Sequence, residues 1–197
     1  VTIHKNIAYG PNAEHKLDVY QPKNPTSRSP ICMYIHGGAF TLLSKETHWM
    51  AALKLARQGY TVFNINYTLS RTAPFPAAVQ DTFEAAKWIH QNAGQYGADN
   101  EQMVIGGESA GGNLTLAVTI ASCFELDESW AKSLYKANLP IKAVFPICGF
   151  LQASQPERYF DIKTALTPHV IINETLCLAR TSKMAKNQRR FLAFRIR

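Results

Sequence analysis

Charge, long apolar runs and paired cysteines are what this 197-residue chain has least of. Charged residues make up 18% and apolar ones 46%, a balance that excludes a disordered or fibrous chain and suits one globular domain. No run approaches the roughly 18–20 apolar residues that cross a bilayer, so no membrane span is expected. The opening Val1-Thr2-Ile3-His4-Lys5-Asn6 lacks a methionine and a signal-peptide hydrophobic stretch. Cys32, Cys123, Cys148 and Cys177 form no CxxC pair and have no metal-ligand spacing with histidine. Cys32 and Cys148 lie in apolar runs that read as buried strands. Reduced core thiols, a cytoplasmic location and no bound metal are therefore expected.

The formal charge of +7 is unevenly placed. All of the excess lies in Arg180, Lys183, Lys186, Arg189, Arg190, Arg195 and Arg197, and no acid stands among them. The body is neutral and carries no nucleic-acid-binding motif, so no nucleic-acid partner is expected. Two regions follow: a domain over 1–179 and a basic tail over 180–197. A basic amphipathic helix lying on a membrane surface is a competing account of that tail.

Strands and helices alternate along the body. Leu17–Tyr20 alternates like an early strand, and Pro22, Pro25 and Pro30 mark the loop after it. Ile31–Ile35 is a short continuous apolar run, the pattern of a strand covered on both faces. A helix is predicted over 46–58, with Met50, Leu53 and Ala56 on its apolar side and Gly59 at its end. Then come a strand over 60–67, a helix over 77–95, a strand over 102–106, a helix over 110–124 and a strand over 141–148. The order predicts an α/β fold with a mostly parallel sheet and helices on both faces.

Gly107-Glu108-Ser109-Ala110-Gly111 fits G-x-S-x-G between a strand and a helix, the context in which that motif carries meaning. Glycines flank the turn because a side chain there would clash. Ser109 is the candidate nucleophile, at a helix N-terminus that favours negative charge. His36-Gly37-Gly38-Ala39-Phe40 follows the buried run Ile31–Ile35. Acyl transfer builds charge on a carbonyl oxygen, which needs N–H groups with no side chain in the way. The amides of Gly37, Gly38 and Ala110 are the candidate oxyanion donors. His36 is read as bracing that loop, and Gly107, Glu108 and Gly111 as supporting the serine.

HGGAF (36–40) and GGESAGGNL (106–114) resemble the hormone-sensitive-lipase-like and arylformamidase-like branches of the α/β-hydrolase serine esterases. Asn66-Tyr67-Thr68-Leu69 and Phe75–Asp81 are similar to the segment that joins these motifs there, and Tyr9-Gly10-Pro11 with Leu17–Tyr20 to the first strands. The resemblance spans about residues 7–150. It implies hydrolysis of a small-molecule carboxylic ester through an acyl-enzyme, without a cofactor. It also implies an acid and then a histidine after the serine, in a Gly-x-x-Asp-like turn and a His-Gly-Phe-like loop.

Neither segment is found. His169 is the only histidine beyond Ser109, and with Asp161 or Glu157 it would make an unusual base. The expectation is an α/β-hydrolase chain truncated before its last strands, weak or inactive alone. A non-catalytic ligand-binding or interaction protein derived from an esterase is the alternative, and a base supplied by a partner chain a third reading. Composition leaves the oligomeric state open.

Overall fold

Strand β3 (Ser29–Ile35) lies at the middle of the sheet, and its composition explains the position. Ile31, Cys32, Met33 and Ile35 are all fully buried, so neither face meets water. In the computed structural model, which describes residues 1–23 and 28–149, β3 pairs in parallel with β4 (Thr61–Ile65) and with β5 (Ala98–Glu108). β6 (Ile141–Ile147) continues the parallel sheet beyond β5. On the other side β2 (Lys16–Gln21) pairs antiparallel with β4, and β1 (Thr2–Ala8) antiparallel with β2. The order is β1-β2-β4-β3-β5-β6. These residues fall within the unit Val1–Leu151.

Handedness places the helices. The chain leaves β3, passes through α1 (Trp49–Arg57) and enters β4 on one side. From β4 it crosses back over β3 through α2 (Ala77–Asn92) to reach β5. Right-handed crossovers in opposite directions put their helices on opposite faces. Accordingly Ala52 and Ala56 of α1 pack with Cys32, Tyr34 and Val62. Phe63, the next residue along β4, meets Tyr96 just beyond α2. α3 (Ala110–Cys123) and α4 (Ser129–Lys136) join the α2 layer, where Phe83 of α2 lies 5.5 Å from Trp130 of α4.

Several sequence-based expectations change. The helix over 46–58 is a 3₁₀ turn (Lys45–His48) followed by α1, and its buried side is Ala52 and Ala56; Met50 is 64% exposed. The 77–95 helix ends at Asn92, and a 3₁₀ turn, Ala93–Tyr96, leads to Gly97 at φ 71°. A left-handed residue stops helical propagation, and glycine takes that conformation without a Cβ clash. Cys148 is exposed at φ 49°, because β6 is the outermost described strand on its side rather than a covered one. Cys32 is free and buried, as expected. Tyr9–Pro11 is the turn after β1 rather than a strand, and α4 was not anticipated from its short Ala131/Leu134 spacing. The boundary at 179/180, the basic tail and any strands after β6 lie outside the described residues. No helix among the described residues is long and apolar enough to cross a membrane.

A buried pair ties the β4–α2 connection to the first turn of the fold. The Asp81 carboxylate on α2 accepts from His15 Nε2 at 2.8 Å and from the Thr68 N–H at 2.7 Å. The His15 ring stacks on Tyr9, whose hydroxyl donates to the Asn66 carbonyl. Removing one partner strands the others without water. Asp81→Ala should therefore lower unfolding free energy by about 3–5 kcal/mol in urea titrations. A midpoint close to wild type would show that these groups find other partners.

Candidate active site

The strand order reverses at β3: its neighbour β4 comes next in the chain, and its other neighbour β5 comes after a return crossing. Loops leaving the carboxyl ends of such a pair diverge and open a crevice between them. The β3 exit carries His36-Gly37-Gly38, and the β5 exit carries Ser109. Ile35 pairs with Gly107 in the ladder, so the two exits stand level.

Contact between the exits depends on missing side chains. A Cβ on Gly37 would lie 3.3 Å from Ser109 Cβ and 2.9 Å from the Glu108 carbonyl oxygen. One on Gly107 would meet the Ile35 carbonyl oxygen at 2.5 Å. One on Gly111, in the first turn of α3, would meet the same oxygen at 2.1 Å and that of His36 at 2.6 Å. Ser109 itself has φ 52° and ψ −114°, a backbone state that costs about 1–3 kcal/mol in a non-glycine residue. Its N–H donates to the Ile147 carbonyl at 2.8 Å, and its carbonyl accepts from Asn113 at 3.1 Å, so the turn is tied to β6 and to α3. Ala110 opens α3, and its N–H is therefore among the N-terminal donors that an α-helix cannot satisfy internally.

The loop after β3 is as constrained as the turn it faces. Gly38, Ala39, Phe40 and Leu43 all have positive φ. A side chain on Gly38 would strike the Leu42 carbonyl at 2.0 Å. The Gly38 carbonyl accepts from Thr41 and Leu42, and the Phe40 carbonyl from the Ser70 N–H at 2.8 Å. Phe40 is itself buried.

His36 is 1% exposed, and its Nδ1 donates to the Gly37 carbonyl at 2.7 Å. Its ring stacks on Tyr67 with centroids 4.3 Å apart, and the Tyr67 hydroxyl donates to the His36 carbonyl at 3.1 Å. Burial pushes its pKa down to about 4, partly opposed by the bond to Gly37. A neutral ring with Nδ1 occupied and one face stacked holds the loop in shape. The Glu108 carboxylate lies 3.4 Å from His48 Nε2. The sequence gives His48, Asp18, Lys45 and Asn64 no role at the site, and Asn66 enters it only as part of the segment that resembles the esterases. Asn64 carried a usable signal, since a polar residue in a strand buried at every position must find partners. His169, Asp161 and Glu157 lie outside the described residues. Among the described residues no group of three or more histidine, cysteine or acidic side chains is placed to hold a metal.

Two outcomes follow from this geometry. Gly111→Ala presses a methyl onto backbone, which cannot swing aside, and should destabilise the fold by about 1–3 kcal/mol; an unchanged denaturation midpoint would contradict the close approach. For His36 the folded pKa is depressed from 6.5 to about 4. The unfolded chain therefore binds the proton first, and the neutral ring's stabilisation, fully present above 6.5, is lost as pH falls towards 4. That dependence amounts to at most about 3 kcal/mol and should shrink in His36→Asn, measured by urea unfolding between these pH values.

Comparison with known proteins agrees with this architecture. The BD-FAE family model matches residues 17–186. Hormone-sensitive lipase of Mus musculus is 27% identical over 168 residues, covering 84% of this chain and 20% of that protein. Carboxylesterase NlhH of Mycobacterium tuberculosis is 30% identical over 112 residues, 56% of this chain and 35% of that protein. A crystal structure of an inhibited esterase B from Lactobacillus rhamnosis superposes with a TM-score of 0.70 at 23% identity, over 82% of this chain and 53% of that one, a likeness of fold. The chain thus spans about a half or less of the length of each of these three proteins. With the family model covering most of its length, the chain belongs to the BD-FAE family and is an α/β-hydrolase of the hormone-sensitive-lipase-like esterase branch.

Proposed function

We propose that this chain carries the nucleophile and oxyanion half of a carboxylic-ester hydrolase. The observation that supports it most is the contact of Gly37 with Ser109 at the reversal point of the sheet. The Ser109 hydroxyl attacks the ester carbonyl and its proton passes to a base. The carbonyl oxygen becomes an oxyanion facing the amides of Gly37, Gly38 and Ala110, where one such donor is worth about 2.7–4 kcal/mol. Collapse expels the alcohol and leaves an acyl-Ser109 ester, which water then hydrolyses. His36 braces the donor loop, and Gly107, Glu108 and Gly111 support the serine turn. No step calls for a cofactor or metal. Small acyl or aryl esters are the substrate class, and the buried free thiol of Cys32 suits a cytoplasmic setting.

The base is the weak point of this machinery. His169 is the only histidine after Ser109 and lacks the His-Gly-Phe-like surroundings of the family's base. Turnover by this chain alone is therefore weak, sustained by binding and oxyanion donors rather than by a full triad.

Intact mass after exposure to a fluorophosphonate probe tests the nucleophile. One adduct per chain is expected, formed slowly and abolished in Ser109→Ala. Rapid stoichiometric labelling would overturn the weak-base reading and point to His169→Ala as the next variant. A folded chain that never labels would leave the serine idle and favour the ligand-binding alternative.

A further inference from the structure

A fully buried lysine needs a reason. Lys45 is the first residue after the loop over 37–44, and it is 1% exposed. Its ammonium lies 2.9 Å from the Asp18 carboxylate on β2, donates to Asn6 Oδ1 at 2.8 Å and also bonds Glu46. The Asp18 side chain is only 2% exposed, and it accepts from the Asn6 N–H at 2.9 Å. The backbone of Lys45 is clamped as well: its N–H donates to Asn66 Oδ1 at 2.7 Å, and its carbonyl accepts from Asn64 Nδ2 at 2.8 Å. Burial opposes the ammonium charge, but Glu46 and Asp18 outweigh it and hold the lysine pKa above its usual value.

Stability alone is a poor explanation, because an apolar pair in such a site is commonly as stable or more so. The location supplies a better one. Four residues of the preceding loop, Gly38, Ala39, Phe40 and Leu43, have left-handed backbones. Such a path persists only where its surroundings over-determine it. The front of the loop is held by His36 against Tyr67, and its middle by Phe40 against Ser70. The rear is where Lys45, first residue of the 3₁₀ turn, meets Asp18 of β2 and the side chains of Asn64 and Asn66.

We infer that Lys45 and Asp18 are a positioning pair for the oxyanion loop, holding its left-handed path from the far end so that the Gly37 and Gly38 amides stay beside Ser109. The inference rests on the reading of those amides as oxyanion donors. Lys45 touches no substrate; it acts through the loop.

Hydrogen exchange read by mass spectrometry, on the full chain, separates this role from a general staple. The forms compared are wild type, Lys45→Met and Lys45→Met/Asp18→Asn. The single variant leaves Asp18 buried without its cation, and global stability should fall. The double variant removes both charges, keeps an acceptor for the Asn6 N–H, and should recover most of that loss. In the folded double variant the amides over 37–44 should exchange at least about tenfold faster, while those of α3 keep wild-type rates. Fluorophosphonate labelling should lose about tenfold or more in limiting rate with an unchanged half-saturating concentration, as expected when oxyanion donors move. Wild-type exchange over 37–44 in a folded double variant would overturn the proposal. So would a double variant that fails to fold, or that loosens α3 as much as the loop, because the pair would then serve the whole fold. If wild-type Ser109 never labels but only the loop loosens in the variants, the anchor stands and the nucleophile reading fails instead.

Discussion

The carbonyl of Ile35, at the end of β3, stands closer to the first turn of α3 than any side chain would allow. A Cβ on Gly107 or Gly111 would fall within 2.5 Å of that oxygen. Everything proposed for the site depends on this approach. It levels the two loops, sets Gly37 against Ser109 and aims the first turn of α3 at the crevice. Backbone pressed on backbone leaves no side chain between the glycine loop and the serine turn, which the proposed role of the loop amides as oxyanion donors requires.

That contact would be costly to keep if its parts were loose. Ser109 and four residues of the facing loop hold positive-φ backbones, and a free segment would relax out of them. The fold answers with anchors of different chemistry around the loop. An aromatic stack and a carbonyl bond hold His36, a buried phenylalanine holds the middle, and a buried ion pair with two asparagines holds the end. Asn64 sits on β4, directly beside β3, and Asn66 follows the end of that strand, so the loop is fixed against the middle of the sheet. Preorganisation of this kind is done in folding rather than during reaction.

The half of the site that concerns acid and base has a different character. A nucleophile turn and a glycine loop are local structures, each written within about five residues and recognisable from spacing plus the strand or helix beside it. A triad acid and base are single side chains brought in from distant loops, and their meaning comes only from where the fold delivers them. His169 shows the difficulty: its residue type suits the chemistry, and nothing in its neighbours places it.

Residue order by itself determined the alternation of strands and helices, the buried parallel character of β3 and the location of the serine turn and glycine loop. Period, apolar run length and glycine spacing are local properties, which is why they could be read directly. Tertiary structure alone decided which side of α1 is buried, where Cys148 lies and what holds the loop. Met50 and Ala56 both fit an apolar stripe, but only the strands beneath α1 select Ala52 and Ala56 for contact. Lys45 reads as an ordinary surface lysine until β2 and β4 bring Asp18, Asn64 and Asn66 around it. Burial of a charge is settled by partners far away in the chain, so no window of sequence around Lys45 contains it.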